Sequence, residues 1–264
     1  LQYHSEIVHT RDKREIGILF NLVSAYLKGV YSEVVEIENG YLNIQTLNNT
    51  VLKGYFETDF NFNLSGFALD SASMQQTDKF FYANNFDIQF SDYQMKLVDN
   101  LHKINVDKIS IQSFDRKLQI ENLQLKPVVS NADLSIMQSF NRSELYNITI
   151  PKITLWGINL RDAFFYNKLN IARFNVTKPK IYFENFGVIR QAKEKKEFSE
   201  LYQLVSNYIY DFNIKEISIP SGDFAWVNHT KKGKTTSFDN EFSATLKGFR
   251  LNENEFNRQR LLFS

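Results

Sequence analysis

The chain contains no cysteine in 264 residues. Disulfide frameworks and Cys-ligated zinc are therefore excluded. It has little glycine or proline, 10 and 4 residues, and no excess of either charge, with 31 basic against 30 acidic side chains. That balance gives no electrostatic footprint for nucleic acid. No apolar run approaches the length of a transmembrane helix. There is no signal peptide and no initiator methionine; the opening "LQYHSEIVHTRDKREIG" reads like the middle of a longer chain. A targeting or anchoring element is expected outside these residues.

What is present is apolar and aromatic: 43% hydrophobic residues, 24 Phe and 13 Tyr. The chain can bury a core, and its aromatics favour strands. Most of it alternates apolar and polar with period two, which predicts a mainly β protein. Two stretches break the pattern with helical spacing, Ile18–Leu27 and Phe198–Ile209, and predict two short amphipathic helices that plug one end of a sheet.

The phrase "EIENGYLNI" (Glu36 to Ile44) returns as "SIPSGDFAW" (Ser218 to Trp226). Aligning Gly40 with Gly222 sets an offset of 182 residues, which holds without a gap from Glu15–Tyr82 onto Glu197–Ser264. Leu22/Leu204, Tyr26/Tyr208, Phe60/Phe242, Leu64/Leu246, Gly66/Gly248 and Phe67/Phe249 are identical pairs at that offset. A domain-sized internal repeat follows. Residues 1–14 are a lead-in, 15–196 the first repeat, and 197–264 the start of a second, truncated one. Asn39-Gly40 reads either as a two-residue hairpin turn or as a glycine bulge inside one longer strand. In both readings the glycine supplies a positive φ.

The middle of the chain carries apolar doublets five residues apart. Leu118/Ile120 precede Leu123/Leu125; Ile148/Ile150 precede Ile153/Leu155 and then Ile158/Leu160; Leu169/Ile171 precede Phe174/Val176. A step of five flips the face of a regular strand, so a bulge or bend between doublets is expected to restore it. Pro127, Pro151, Pro179 and Pro220 stand beside these doublets, where bends and edges tolerate proline. The prediction is a long, curved antiparallel sheet with one apolar face.

Catalytic and metal motifs are missing. Gly233-Lys234-Thr235 resembles the end of a P-loop, but Asn228 stands where the first glycine is needed and a strand-like segment follows; a lysine-rich hairpin tip is expected. His4, His9, His102 and His229 lack metal-ligand spacing. Asp87, Asp92, Asp99 and Asp107 read as solvent-facing residues of strands. The chain is expected not to be an enzyme and to carry no cofactor or metal.

The amphipathic helix before "V-x-E-I-x-x-G-x-L-x-I", then "L-x-G-F-x-L", "V-D-K-I-S-I", "L-Q-I-E-N-L-Q-L-K-P", "I-T-I-P-K-I-T-L-W-G-I-N-L" and "K-P-K-I-Y-F", resemble the AsmA-like family of bacterial envelope proteins, related to TamB and to chorein-type bridge-like lipid transfer proteins. The resemblance implies a β-sheet groove, taco-like, with an apolar interior. It implies a periplasmic location, an inner-membrane anchor outside these residues, and transport of phospholipid toward the outer membrane, with envelope proteins as possible partners. It carries over a lipid-facing surface and no catalytic residue. That surface is Ile37, Leu42, Ile44, Ile148, Ile150, Ile153, Leu155, Ile158, Leu160, Ile219, Phe224 and Trp226. The competing expectation is a structural or protein-binding β module of a surface or secreted protein, with the same face closed as a core.

Overall fold

In the computed structural model, residues 24–48, 51–73, 81–97, 99–130, 132–140, 142–187, 211–230 and 233–251 are described. They form a mainly β protein. Its strands are β1 (Gly29–Asn48), β2 (Val51–Asp70), β3 (Asn85–Lys96), β4 (His102–Gln112), β5 (Lys117–Pro127), β6 (Glu144–Trp156), β7 (Lys168–Thr177), β8 (Lys180–Asn185), β9 (Asp211–Thr230) and β10 (Gly233–Leu251). All join one sheet in the order β1-β2-β3-β4-β5-β6-β7-β9-β10, with β8 between β6 and β9. Alternation explains the strands. In β2, Phe56, Thr58, Phe60, Phe62 and Leu64 point to one side and Glu57, Asp59, Asn61 and Asn63 to the other. No second sheet packs on the first among the described residues; the substantial contacts run between hydrogen-bonded neighbours, plus one helix against β7.

The sheet is antiparallel except at one joint. β7 and β8 both pair antiparallel with β6 and parallel with β9. They are two halves of one course, interrupted at Lys178 (φ 43°) and the buried Pro179. The break falls where β6 passes Pro151 and β9 passes Pro220, so three of the four prolines mark one seam. Proline cannot donate to a ladder, and here each ladder is already changing partner.

Two short helices complete the described structure. α1 (Leu134–Ser139) starts at Asp133, whose carboxylate accepts from Ile136 N–H at 2.8 Å. α2 (Leu160–Tyr166) starts at Asn159, whose Oδ1 accepts from Asp162 N–H at 3.1 Å. Neither coincides with the expected amphipathic helices. Those fall on residues outside the described ones, apart from the end of the first, where Tyr26 and Leu27 are exposed. The Ile158/Leu160 pair is corrected: it is not a strand doublet. Gly157 (φ 66°) ends β6, Ile158 lies in the turn and Leu160 opens α2.

The hairpins β1–β2 and β9–β10 share one register at the offset of 182. Ile37↔Phe62 corresponds to Ile219↔Ala244, Gly40↔Phe60 to Gly222↔Phe242, and Ile44↔Phe56 to Trp226↔Phe238. Each hairpin also has an irregularity just before its glycine. The Asn39-Gly40 phrase is therefore a bulge inside a 20-residue strand and not a hairpin turn. The positive φ belongs to Asn39 (54°), not to Gly40, and Gly222 has none. Gly40 serves close approach instead, since a Cβ there would overlap the ring of its cross-strand partner Phe60. At Gly222 a Cβ would stand 2.9 Å from the Phe242 ring and 2.8 Å from Pro179 Cγ.

The expected face-restoring bends are present and have a common form. An apolar residue is followed two positions later by a residue in the left-handed region and then by another apolar residue. Ile37-Asn39-Gly40 leads into it, and Leu64-Gly66-Phe67, Phe90-Asp92-Tyr93, Ile120-Asn122-Leu123 and Leu246-Gly248-Phe249 follow, with φ between 51° and 68°. Glycine, asparagine and aspartate are the residues that enter this region at least cost. Ile120 and Leu123 pack in one cluster as a result, and Leu64 and Phe67 in another.

Candidate functional site: the apolar face

Because directly paired residues share a face, the register traces rows across the sheet. One row is apolar without interruption over nine strands: Ile37, Phe62, Ile88, Ile111, Leu118, Leu155, Phe174, Ile217 and Leu246. A second runs Ile44, Phe56, Met95, Ile104, Leu125, Ile148, Ile181 and Phe224. Between them lie Phe60, Phe90, Ile109, Ile120, Ile153 and Val176.

The twelve residues expected to face lipid fall into three places on this surface. Ile37, Leu42 and Ile44 lie at the β1 edge, where Ile37 and Ile44 are exposed. Ile148, Ile150, Ile153 and Leu155 lie along β6, and Ile153 and Leu155 are buried with Ile158, Ile171, Val176 and Ile214 in one cluster. Leu160 packs against this cluster and against the one formed by Leu64, Ala83 and Phe86. Ile219, Phe224 and Trp226 lie on β9, with Trp226 39% exposed. The surface is thus packed at its centre and open at its β1 and β10 sides, where Leu246 and Phe238 are also exposed. The residues that link the three places, Phe62, Ile88, Ile111 and Leu118, escape a search by repeated phrases. Their signal is plain alternation in β2 to β5, which shows its importance once register is known.

Aromatic side chains finish both ends of the face. Phe81 meets Phe62 and Phe86 edge-on, with centroids 5.4 and 5.5 Å away. At the opposite end Tyr146, Phe183 and Trp226 form a chain with centroid spacings of 5.1 and 5.2 Å. Such pairs contribute about 0.5–1.5 kcal/mol beyond their buried area.

The reverse face is polar. Asn61, Gln89, Ser110, Gln119 and Thr154 form one row. A cavity of about 660 Å³ lies on this side over β1 to β5, lined by these amides together with Glu36, Asp87, Lys108 and Lys117, among others. Burial first, then the negative charge of Asp115, pushes the Asp87 carboxyl above its ordinary pKa. The hollow over these five strands is therefore lined largely by amides and charges, with Ile37, Phe62, Ile88 and Ile111 of the first apolar row also contributing to its wall.

Asp99 and His102 resemble part of a catalytic dyad, with Oδ2 2.6 Å from Nδ1. The geometry closes it to chemistry. Tyr146 N–H donates to His102 Nε2 at 3.0 Å, so Nδ1 carries the proton toward Asp99 and the only lone pair is occupied by backbone. His102 is buried, and the pair joins the start of β4 to β6. Asp99 is thus not a solvent-facing residue as expected, whereas Asp87, Asp92 and Asp107 are exposed. Its signal in the sequence is the spacing Asp99-x-Leu101-His102, which lets one carboxylate accept from both following N–H groups. His229 pairs with Glu184 across the sheet and stacks on Phe186 at 3.9 Å. The Gly233-Lys234-Thr235 stretch begins β10, and Gly233 pairs with Thr230 of β9. Among the described residues no group of three or more His, Cys, Asp or Glu is placed to hold a metal, and no helix is long and apolar enough to cross a membrane.

Compared with protein-family models, curated proteins and solved structures, the chain matches none.

Proposed function

We propose that this chain is a non-enzymatic, lipid-handling segment of a larger cell-envelope protein, binding phospholipid acyl chains along its apolar sheet face. The observation that carries the reading is the uninterrupted apolar row across nine strands, exposed at both its ends, Ile37 and Leu246. The exposed apolar side chains at its β1 and β10 sides, Ile37, Ile44, Phe238 and Leu246, are the part of this surface open to a ligand, and exposed apolar patches mark binding surfaces. An acyl chain laid on it gains roughly 25 cal/mol per Å² of apolar area removed from water. The contacts are non-directional, so selectivity among head groups is weak. Periplasmic placement and an anchor outside these residues belong to the same proposal.

The competing reading is a β module whose apolar face is only a core. It is favoured by the burial of Ile153, Leu155, Val176 and Ile214 to 7% or less. One experiment separates the two. The chain has two tryptophans, Trp156 and Trp226. Trp156 pairs with Lys117 and Arg173 on the polar face, whereas Trp226 sits in the apolar one. Lysophosphatidylcholine with a brominated acyl chain should quench Trp226 in a Trp156→Phe variant and leave Trp156 bright in a Trp226→Phe variant. Equal quenching of the two, or none, together with no lipid co-purifying by mass spectrometry, would sink the lipid reading.

A further inference from the structure

The two matched hairpins differ in what lies beside their second strand. β2 has an outer edge filled by β3, antiparallel, from Tyr55↔Lys96 to Ser65↔Asn85. β10 corresponds to β2 through the shared register, and among the described residues no strand lies on its outer edge. Two positions report the difference. Leu64 and Leu246 are the same residue at the same place; Leu64, opposite Phe86, is 5% exposed, and Leu246 is 54% exposed. Gly66 and Gly248 share a left-handed backbone (φ 65° and 68°), yet the Asn84 side chain fills the space beside Gly66 and nothing lies within 4 Å at Gly248.

We propose that the outer edge of β10 is an acceptor site for one antiparallel strand with the chemistry of β3. Its partner is an extended polypeptide segment whose apolar side chains fall opposite Phe242, Ala244 and Leu246. In the occupied copy those places are held by Phe90, Ile88 and Phe86. Ala244 stands where β2 has Phe62, so the partner's central apolar residue has more room than Ile88. On the polar face the exposed Asp239 and Glu241 favour basic or amide side chains on the partner. Backbone hydrogen bonds would give affinity and the alternate side chains the register. β10 is 19 residues long and contains no proline to block its edge.

The partner is not the other free edge of a second copy. β1 corresponds to β9, whose filled edge takes β7 and β8 in parallel, whereas the β10 edge calls for an antiparallel neighbour. The proposal is independent of lipid binding, since it rests on register and edge occupancy alone.

The absence of cysteine permits a direct test on the whole chain. A Thr245→Cys variant is mixed with a peptide of the β3 sequence, Asn85 to Lys96, carrying Asp87→Cys, under mild oxidation. Thr245 corresponds to Asn63, which pairs with Asp87. Disulfide formation at 245 should be about tenfold faster than with Lys247→Cys, or with Glu33→Cys at the β1 edge, because a slipped register loses its matched pairs. Thr245, Lys247 and Glu33 are all exposed, so circular dichroism should be the same for the three variants. Equal rates at the three sites, or rates matched by a scrambled peptide, would overturn the proposal. So would failure to cross-link in a variant that keeps its circular dichroism.

Discussion

At the scale of single residues, the glycines separate into two jobs that look alike in the sequence. Gly40 has ordinary φ and makes room for the Phe60 ring. Gly40→Ala should therefore destabilise by about 1–3 kcal/mol through overpacking, read as a lowered urea midpoint. Gly248 has open space around it but φ of 68°, so Gly248→Ala should cost only about 1–2 kcal/mol of backbone strain. The motif "ENG" reads equally as a hairpin turn or as a bulge; pairing with β2 decides for the bulge, with the positive φ on Asn39 and the Phe60 ring against Gly40.

Asp99 gives a prediction with a sign. Burial would raise its pKa, but the hydrogen bonds from the His102 ring and from the N–H groups of His102 and Leu101 outweigh it and hold the carboxyl below the ordinary 3.8. A carboxylate depressed in the folded state contributes stability that is full above its unfolded pKa and is lost as pH falls through the folded value. Asp99→Asn should thus flatten the acid limb of the stability profile below about pH 4, followed by urea unfolding at a series of pH values. His102→Ala should cost about 1–3 kcal/mol near neutrality, because it leaves the Tyr146 N–H without its acceptor. A variant as stable as the parent in the same titration would refute the stabilising role of the Asp99–His102–Tyr146 link between β4 and β6.

At the scale of elements, the doublets spaced by five were readable as strands that recover their face, and Asn122 shows how. Its φ of 51° swings Leu123 back beside Ile120. Asn122→Gly should be tolerated to within about 0.5 kcal/mol, while Asn122→Val, forced into the same conformation, should lose about 1–2 kcal/mol or more. Hydrogen exchange along β5 is the sensitive readout, since a failed bend would slip the ladder on both sides. α2 was not read at all. "W-G-I-N-L-R-D" continues the doublet spacing, so Ile158 and Leu160 passed as strand residues. The Asn159 cap and Asp162 three residues later were the signal for a helix start. The parallel joint at β7, β8 and β9 was likewise hidden, because strand direction leaves no periodicity in a sequence.

At the scale of the whole molecule, position in the sheet outweighs residue type. Leu64 and Leu246 belong to the same repeated phrase, but one lies beside β3, opposite Phe86, and the other at an edge. Leu64→Ala should cost about 2–5 kcal/mol as a buried truncation, and Leu246→Ala less than about 0.5 kcal/mol as a surface change, both measured by denaturant unfolding. Similar losses at the two sites would mean that the β10 edge is covered in solution. Leu246→Glu should also reduce concentration-dependent association in sedimentation velocity, since an exposed apolar edge strand is a self-pairing hazard.

Alternation, the offset of 182 and the spacing of apolar doublets are visible in the chain itself, so strand content, the repeated phrase and an apolar face were legible before any coordinate, while the hairpins that carry the phrase were not. Those features follow from the two-residue pleat, which every strand obeys on its own. Which strands become neighbours, where the order turns parallel, which part of the apolar face is packed and which stays open all depend on contacts between residues far apart in sequence. The clearest case is the row from Ile37 to Leu246, nine apolar residues contributed by nine strands. No stretch of the chain spells it out, because each strand supplies one letter and cross-strand pairing alone puts the letters in line.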